Sequence, residues 1–182
     1  LTIFMLITGM AGQLYSSTFQ SAGPTVFKLE ARDLGFLQTM SAILGLIANT
    51  FFIGPIEKAL SQLSIITAGA MCVSAAMFLY AFASNYNEII VVTVLTAVPT
   101  FAMYTTLTSM LTKSASKENS ATVIGLGHAT RSAAGILAPT VGGYLINAYG
   151  TNGIGLICGV LMIVAAAYAQ VTRPAPVKEK EG

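Results

Sequence analysis

Six apolar stretches, each long enough to cross a bilayer, alternate with short polar connectors along the 182-residue chain. They run from about 1 to 27, 34 to 56, 63 to 83, 88 to 112, 121 to 149 and 153 to 171. The connectors read KLEARD, EKALSQ, SNYN, KSASKEN and GTN. Links this short predict that each helix lies antiparallel to the one before it. The expected fold class is all-α: a bundle of six transmembrane helices over 1–172, followed by a disordered cytoplasmic tail at 173–182, where proline mixes with both signs of charge.

The stretches differ in how their polar residues are spaced. The first carries Gln13, Ser16 and Gln20 at helical spacing, a stripe along one face. The second repeats it with Gln38, Ser41, Gly45 and Asn49, and the fourth with Thr93, Thr96, Thr100, Tyr104 and Thr108. The fifth carries His128 and Arg131, whereas the third and sixth hold only isolated Thr67, Ser74 and Tyr168. Four helices with a wet face and two without predict a cavity lined by the first, second, fourth and fifth, with the third and sixth against lipid.

Composition agrees with a membrane setting. Hydrophobic residues make up 54% of the chain, charged ones 9%, and the mean hydropathy is +0.74, outside the soluble range. Lys58, Lys113, Lys117, Arg173, Lys178 and Lys180 fall on one side of the predicted bundle and only Lys28 and Arg32 on the other. The excess predicts that both ends of the chain are cytoplasmic. Cys72 and Cys158 both lie in apolar runs, where packing is the ordinary role of a thiol. The chain opens inside an apolar run without an initiator methionine or a basic region. That reads as a span and not a signal peptide, and as part of a longer chain.

The fifth stretch organises the rest. From Thr122 to Leu145 it is apolar and rich in small residues, yet it holds His128, Arg131, Pro139 and the pair Gly142 and Gly143. Counted from Ala121, Arg131 lies roughly 15 Å along the helix, about mid-membrane. An arginine there costs at least ~2.5 kcal/mol on insertion scales and should face protein or water. It either binds an anionic solute group or an acid elsewhere, or is structural, bonded to carbonyls or snorkelling along its stem. His128 sits three residues earlier on nearly the same face. Histidine changes charge near neutral pH and can relay a proton, or it can bond neutrally between helices. The polar stripes suit solute hydrogen bonding or interhelical packing, with Thr100 and Tyr104 beside Pro99 the foremost candidates. Pro99 and Pro139 free mid-helix carbonyls, so each marks a hinge or a static kink. Gly125, Gly135, Gly142 and Gly143 mark close-packing positions. No acid or cysteine stands at ligand spacing from His128, and there is no His-Glu-x-x-His or nucleophile–base pair. No metal, cofactor, nucleic-acid partner or enzymatic activity is expected.

The segment TSMLTKSASKENSATVIGLGHATRSAAGILAPTVGGYL, Thr108 to Leu145, with its Gly125 and Pro139-Thr-Val-Gly-Gly, carries a family resemblance. Together with the polarity pattern it resembles the C-terminal half of a major facilitator superfamily transporter. Within that superfamily it is similar to the solute carrier family 22 member 18 type, near the tetracycline-type proton-coupled drug antiporters. The resemblance implies a twelve-helix fold whose last six helices are present here, with an N-terminal six-helix half as partner. It implies alternating access of a small organic solute or drug-like compound to a central cavity, with a proton as coupling ion. Two motifs depart from the family pattern. Gly54-Pro55-Ile56-Glu57-Lys58 lacks the Asp-Arg pair of Gly-x-Leu-x-Asp-Arg, and Ala138-Pro139-Thr140-Val141-Gly142-Gly143 has alanine for the first glycine of Gly-Pro-x-x-Gly-Gly. No Asp or Glu lies deep in any span, so a coupling carboxylate would belong to the other half. The alternative is a membrane scaffold or receptor-like protein that keeps the fold without transport.

Overall fold

The computed structural model describes residues 2–114 and 120–172, and every element in it is helical. The elements are α1 (Thr2–Val26), α2 (Ala31–Ile47), a π-helical turn (Ala48–Phe52), α3 (Ile53–Ala59), α4 (Gln62–Ala81), α5 (Tyr86–Ser114) and α6 (Ser120–Thr172). Lys117, Arg173, Lys178, Lys180 and the 173–182 tail lie outside the described residues.

Local chemistry sets the helix starts. At α2 the Asp33 carboxylate accepts from the Glu30 N–H at 3.0 Å, and at α4 Ser61 Oγ accepts from the Ser64 N–H at 3.2 Å. At α5 the Glu88 carboxylate reaches back to the N–H groups of Ser84 (2.6 Å) and Asn85 (3.3 Å). Each satisfies N–H groups that have no partner within the helix.

α6 is one run of 53 residues, but Gly150 breaks it with φ 67 and ψ −174. Only glycine adopts this conformation cheaply. The two limbs, 120–149 and 151–172, pass α1 in opposite directions. Along the first limb, Gly127, Gly135 and Gly142 face Met5, Gln13 and Thr18 in turn, a parallel register. Along the second, the Cys158 thiol donates to the Ala11 carbonyl at 3.4 Å while Ala165, Ala166 and Ala169 cluster with Phe4, an antiparallel register. The second limb is also antiparallel to α4, with Gly155 against Ala81, Ser74 Oγ donating to the Gly159 carbonyl at 2.8 Å, and Gln170 bonded to Thr67. α2 runs parallel to α5, with Gly45 against Phe101 and Asn49 against Thr105. The alternation expected from short connectors is therefore present in the packing.

By length and composition alone, four helical stretches among the described residues can cross a membrane: Ala31–Ala59, Gln62–Ala81, Tyr86–Lys113 and Ala121–Thr172. This differs from the six expected for two physical reasons. α1 is 25 residues long but its polar stripe lowers its hydropathy, and the fifth and sixth stretches join into the single run that Gly150 bends. With the family evidence below, these apolar stretches make this an integral membrane protein.

The core lies where α1, α4, α5 and the second limb meet, filled by small residues such as Ala11, Ala70, Ala165 and Ala169 beside Phe4 and, from α5, Met103 and Leu107. α2 buries only Leu37 and Gly45. Phe36, Ile43, Leu46 and Phe51 stay exposed on the α2–α3 run, as do Ile136, Leu137 and Tyr144 on the first limb of α6.

Candidate functional site

The polar stripes converge on three adjoining cavities. The central one, about 320 Å³, is lined by Gln13, Ser16, Thr100, Tyr104 and Arg131 among others. A second, about 260 Å³, continues along α1 toward its C-terminal end and takes in Gln20 and Gln38, sharing Ser16, Ser41 and Thr96 with the first. A third of about 50 Å³ lies toward the α5–α6 connection and contains His128, with Tyr104 and Arg131 in its wall. α1, α2, α5 and the first limb of α6 supply these polar side chains. α4 and the second limb also reach the central cavity, where Val73, Met77, Cys158 and Met162 give it an apolar floor. The expectation that these two helices only face lipid is corrected by that floor: their outer faces carry Met71, Leu79, Leu156 and Val160, and their inner faces close the cavity.

Hydrogen bonding orders much of the polar lining. The Thr93 hydroxyl donates to the Ile89 carbonyl (2.8 Å) and the Thr96 hydroxyl to the Val92 carbonyl (2.9 Å). Each donates its proton back into its own helix, so it meets a solute as an acceptor. Gln20 Nε2 donates to Ser16 Oγ at 3.3 Å, linking the α1 stripe within itself. The Tyr104 hydroxyl donates to the Thr8 carbonyl at 3.3 Å. The Arg131 guanidinium carbon lies 4.5 Å from the Tyr104 ring centroid, a cation–π contact. No carboxylate lines any of the three cavities, so among the described residues Arg131 is their fixed positive charge. The described residues hold no cluster of three or more metal-ligating side chains.

Asn49 stands apart from the stripe it was grouped with. It lies in the π-helical turn, outside the three cavities, and its Oδ1 accepts from Thr105 Oγ1 at 2.8 Å. Thr105, a neighbour of Tyr104 off the threonine stripe, is the partner that spacing alone missed. Tyr15 was missed too: it lines both larger cavities and meets Tyr80 edge-on at 5.0 Å. Two residues from Gln13, it falls off the stripe by helical spacing, which gave no sign of this.

The glycines divide into two groups. A Cβ on Gly135 would stand 3.3 Å from Gln13 Nε2, and one on Gly142 would stand 2.7 Å from Thr18 Oγ1, so both let α1 approach closely. Gly125 and Gly143 meet nothing within 4 Å. Pro99 lies inside α5 and its carbonyl is approached by Gly69, where a Cβ would stand 3.2 Å away; Pro139 lies inside α6 and is exposed.

One protein-family model, described as Major Facilitator Superfamily, matches residues 1–182. No curated protein matches the chain.

Proposed function

The chain belongs to the major facilitator superfamily, whose members are membrane transporters of small solutes, and we propose that it moves a small organic solute bearing an anionic or zwitterionic group by alternating access. The observation that carries this reading is the run of polar-lined cavities with Arg131 in its wall and, among the described residues, no acid lining them. A guanidinium offers a planar fork of donors suited to a carboxylate or phosphate. Gln13, Ser16, Thr100 and Tyr104 would place the rest of the solute in the central cavity, with Gln20 and Gln38 along its approach.

In this reading the chain spans the membrane six times, as the C-terminal half of a twelve-helix transporter. The reversal at Gly150 supports two spans in α6. The 25 residues of α1, roughly 37 Å of helix, support a span there despite its polarity. Exposed apolar residues on α2 and the first limb of α6 suit contact with a second six-helix half. The distribution of lysine and arginine favours cytoplasmic placement of both ends. Proton coupling would use His128 together with an acid from the other half, since no carboxylate lies in these cavities. The motif from Thr108 to Leu145 supports a place near the drug:proton antiporters.

The test is uptake into proteoliposomes by the native-length protein, across a panel of anionic, zwitterionic and cationic organic solutes. Arg131→Ala should reduce uptake of the transported solute to background while leaving expression and melting temperature unchanged. Normal uptake by a well-expressed Arg131→Ala protein would remove the arginine from the solute site.

A further inference from the structure

Two side chains separate the solute cavity from the passage beyond it. Tyr104 and Arg131 line both the central cavity of about 320 Å³ and the small one of about 50 Å³ that holds His128. The pair joins three elements. Tyr104 comes from α5 and anchors to α1 through its bond to the Thr8 carbonyl at 3.3 Å. Gly12, one turn further along α1, leaves space for the tyrosine hydroxyl, which would stand 3.5 Å from a Cβ at that position. Arg131 arrives from the first limb of α6 and lays its guanidinium over the ring at 4.5 Å. Around the pair, Gly127 lets Met5 approach, so a Cβ there would stand 3.2 Å from the methionine methyl. Gly127 is one of three glycines, with Gly135 and Gly142, at which the first limb of α6 comes close to α1, and the cavity on the His128 side is the smaller, about 50 Å³ against about 260 Å³ on the side of Gln20 and Gln38.

We propose that the Arg131–Tyr104 stack is a gate between the central cavity and the passage running past His128 toward the α5–α6 connection, with Tyr104 as the positioning residue. The proposal rests on reading the chain as a solute transporter. The ring holds the guanidinium at the boundary between the two cavities, although Arg131 as a whole stays exposed. When the guanidinium leaves the ring, the two cavities merge and its donors become free for an anionic group. A charge-assisted fork to a carboxylate is stronger than stacking on a neutral ring, so an anionic solute both uses and releases the gate. Lysine would reproduce this arrangement only in part, because its ammonium can stand over a ring but is compact, strongly hydrated and lacks the planar fork.

The experiment uses the native-length protein in oriented membrane vesicles, with Cys72→Ser and Cys158→Ser removing the native thiols and His128→Cys as reporter. A cationic, membrane-impermeant methanethiosulfonate is added from the α1–α2 connection side, and the labelling rate is read by mass spectrometry. With the stack intact, labelling is slow. Tyr104→Leu and Arg131→Gln should each raise the rate roughly three- to fivefold, the population shift expected on losing one solvent-accessible cation–π contact. Tyr104→Phe, which keeps the ring, should stay within roughly twofold of the parent. Arg131→Gln adds no bulk and removes the cation, so it remains informative if Tyr104→Leu misfolds; an unchanged rate in Arg131→Gln overturns the gate. Labelling needs no transported solute. Loss of the gate would therefore leave the transport reading standing, and failure of uptake would leave the gate result interpretable.

Discussion

At the scale of single residues, two positions set how the cavity is built. Arg131 is the charge; it rests on the Tyr104 face and borders the polar cavity, contacts that would offset its cost in a membrane. Gly45 is the steric counterpart. It is one of only two buried residues of α2, and a Cβ there would enter the Phe101 ring of α5. Since Phe101 also lines the central cavity, Gly45→Ala should push α2 from α5 and lower stability by about 1–3 kcal/mol, the usual range for overpacking. Thermal unfolding in detergent measures this. Adding Phe101→Leu should recover part of the loss, and an unchanged melting temperature for Gly45→Ala would mean that α2 is free to shift without cost.

At the scale of elements, the stripes on α1 and α5 were legible because both helices are regular through the cavity, so residues three and four apart stay on one face. Gln13, Ser16, Thr96, Thr100 and Tyr104 consequently share one lining. The stripe on α2 was legible only as far as Ser41, since Gly45 packs on Phe101 and lines none of the cavities. Beyond it the π-helical turn accommodates an extra residue, with the Ile53 N–H bonding to the Ala48 carbonyl, and Asn49 goes to Thr105 instead of the cavity. Spacing rules assume an unbroken 3.6-residue turn, and the only local sign of trouble was Gly54-Pro55. The contribution of α4 and the second limb to the cavity floor was invisible for another reason. Val73, Met77, Cys158 and Met162 are apolar, and apolar residues look the same whether they face lipid or a cavity. The link GTN was read as a connector, and the structure locates the reversal at Gly150 with positive φ. Gly150→Val should cost about 1–3 kcal/mol by forcing a β-branched residue into a backbone region that is essentially glycine's alone. A lower midpoint on mild denaturant unfolding would register that cost; no change would mean that the reversal tolerates an ordinary backbone conformation.

At the scale of the whole molecule, the chain combines a dry back and a wet front. α4 and the second limb of α6 pack through small residues against α1, and their outer faces carry the apolar surface a bilayer needs. The front presents the cavities, flanked by the sparsely buried α2 and the first limb of α6. A rigid back and an open front suit a bundle that rocks as a unit against a second one around a site near mid-membrane. The central claim is that this site meets both sides of the membrane in turn. Thr100, in the wall of the central cavity, is placed to report on it without knowledge of the solute. The measurement is labelling of Thr100→Cys, in native-length protein with Cys72→Ser and Cys158→Ser, by an impermeant thiol reagent applied to one side of the membrane and then, separately, to the other. The account predicts reaction from both sides, with a transported solute slowing each. Reaction from one side alone, under every solute tested and in its absence, would contradict it.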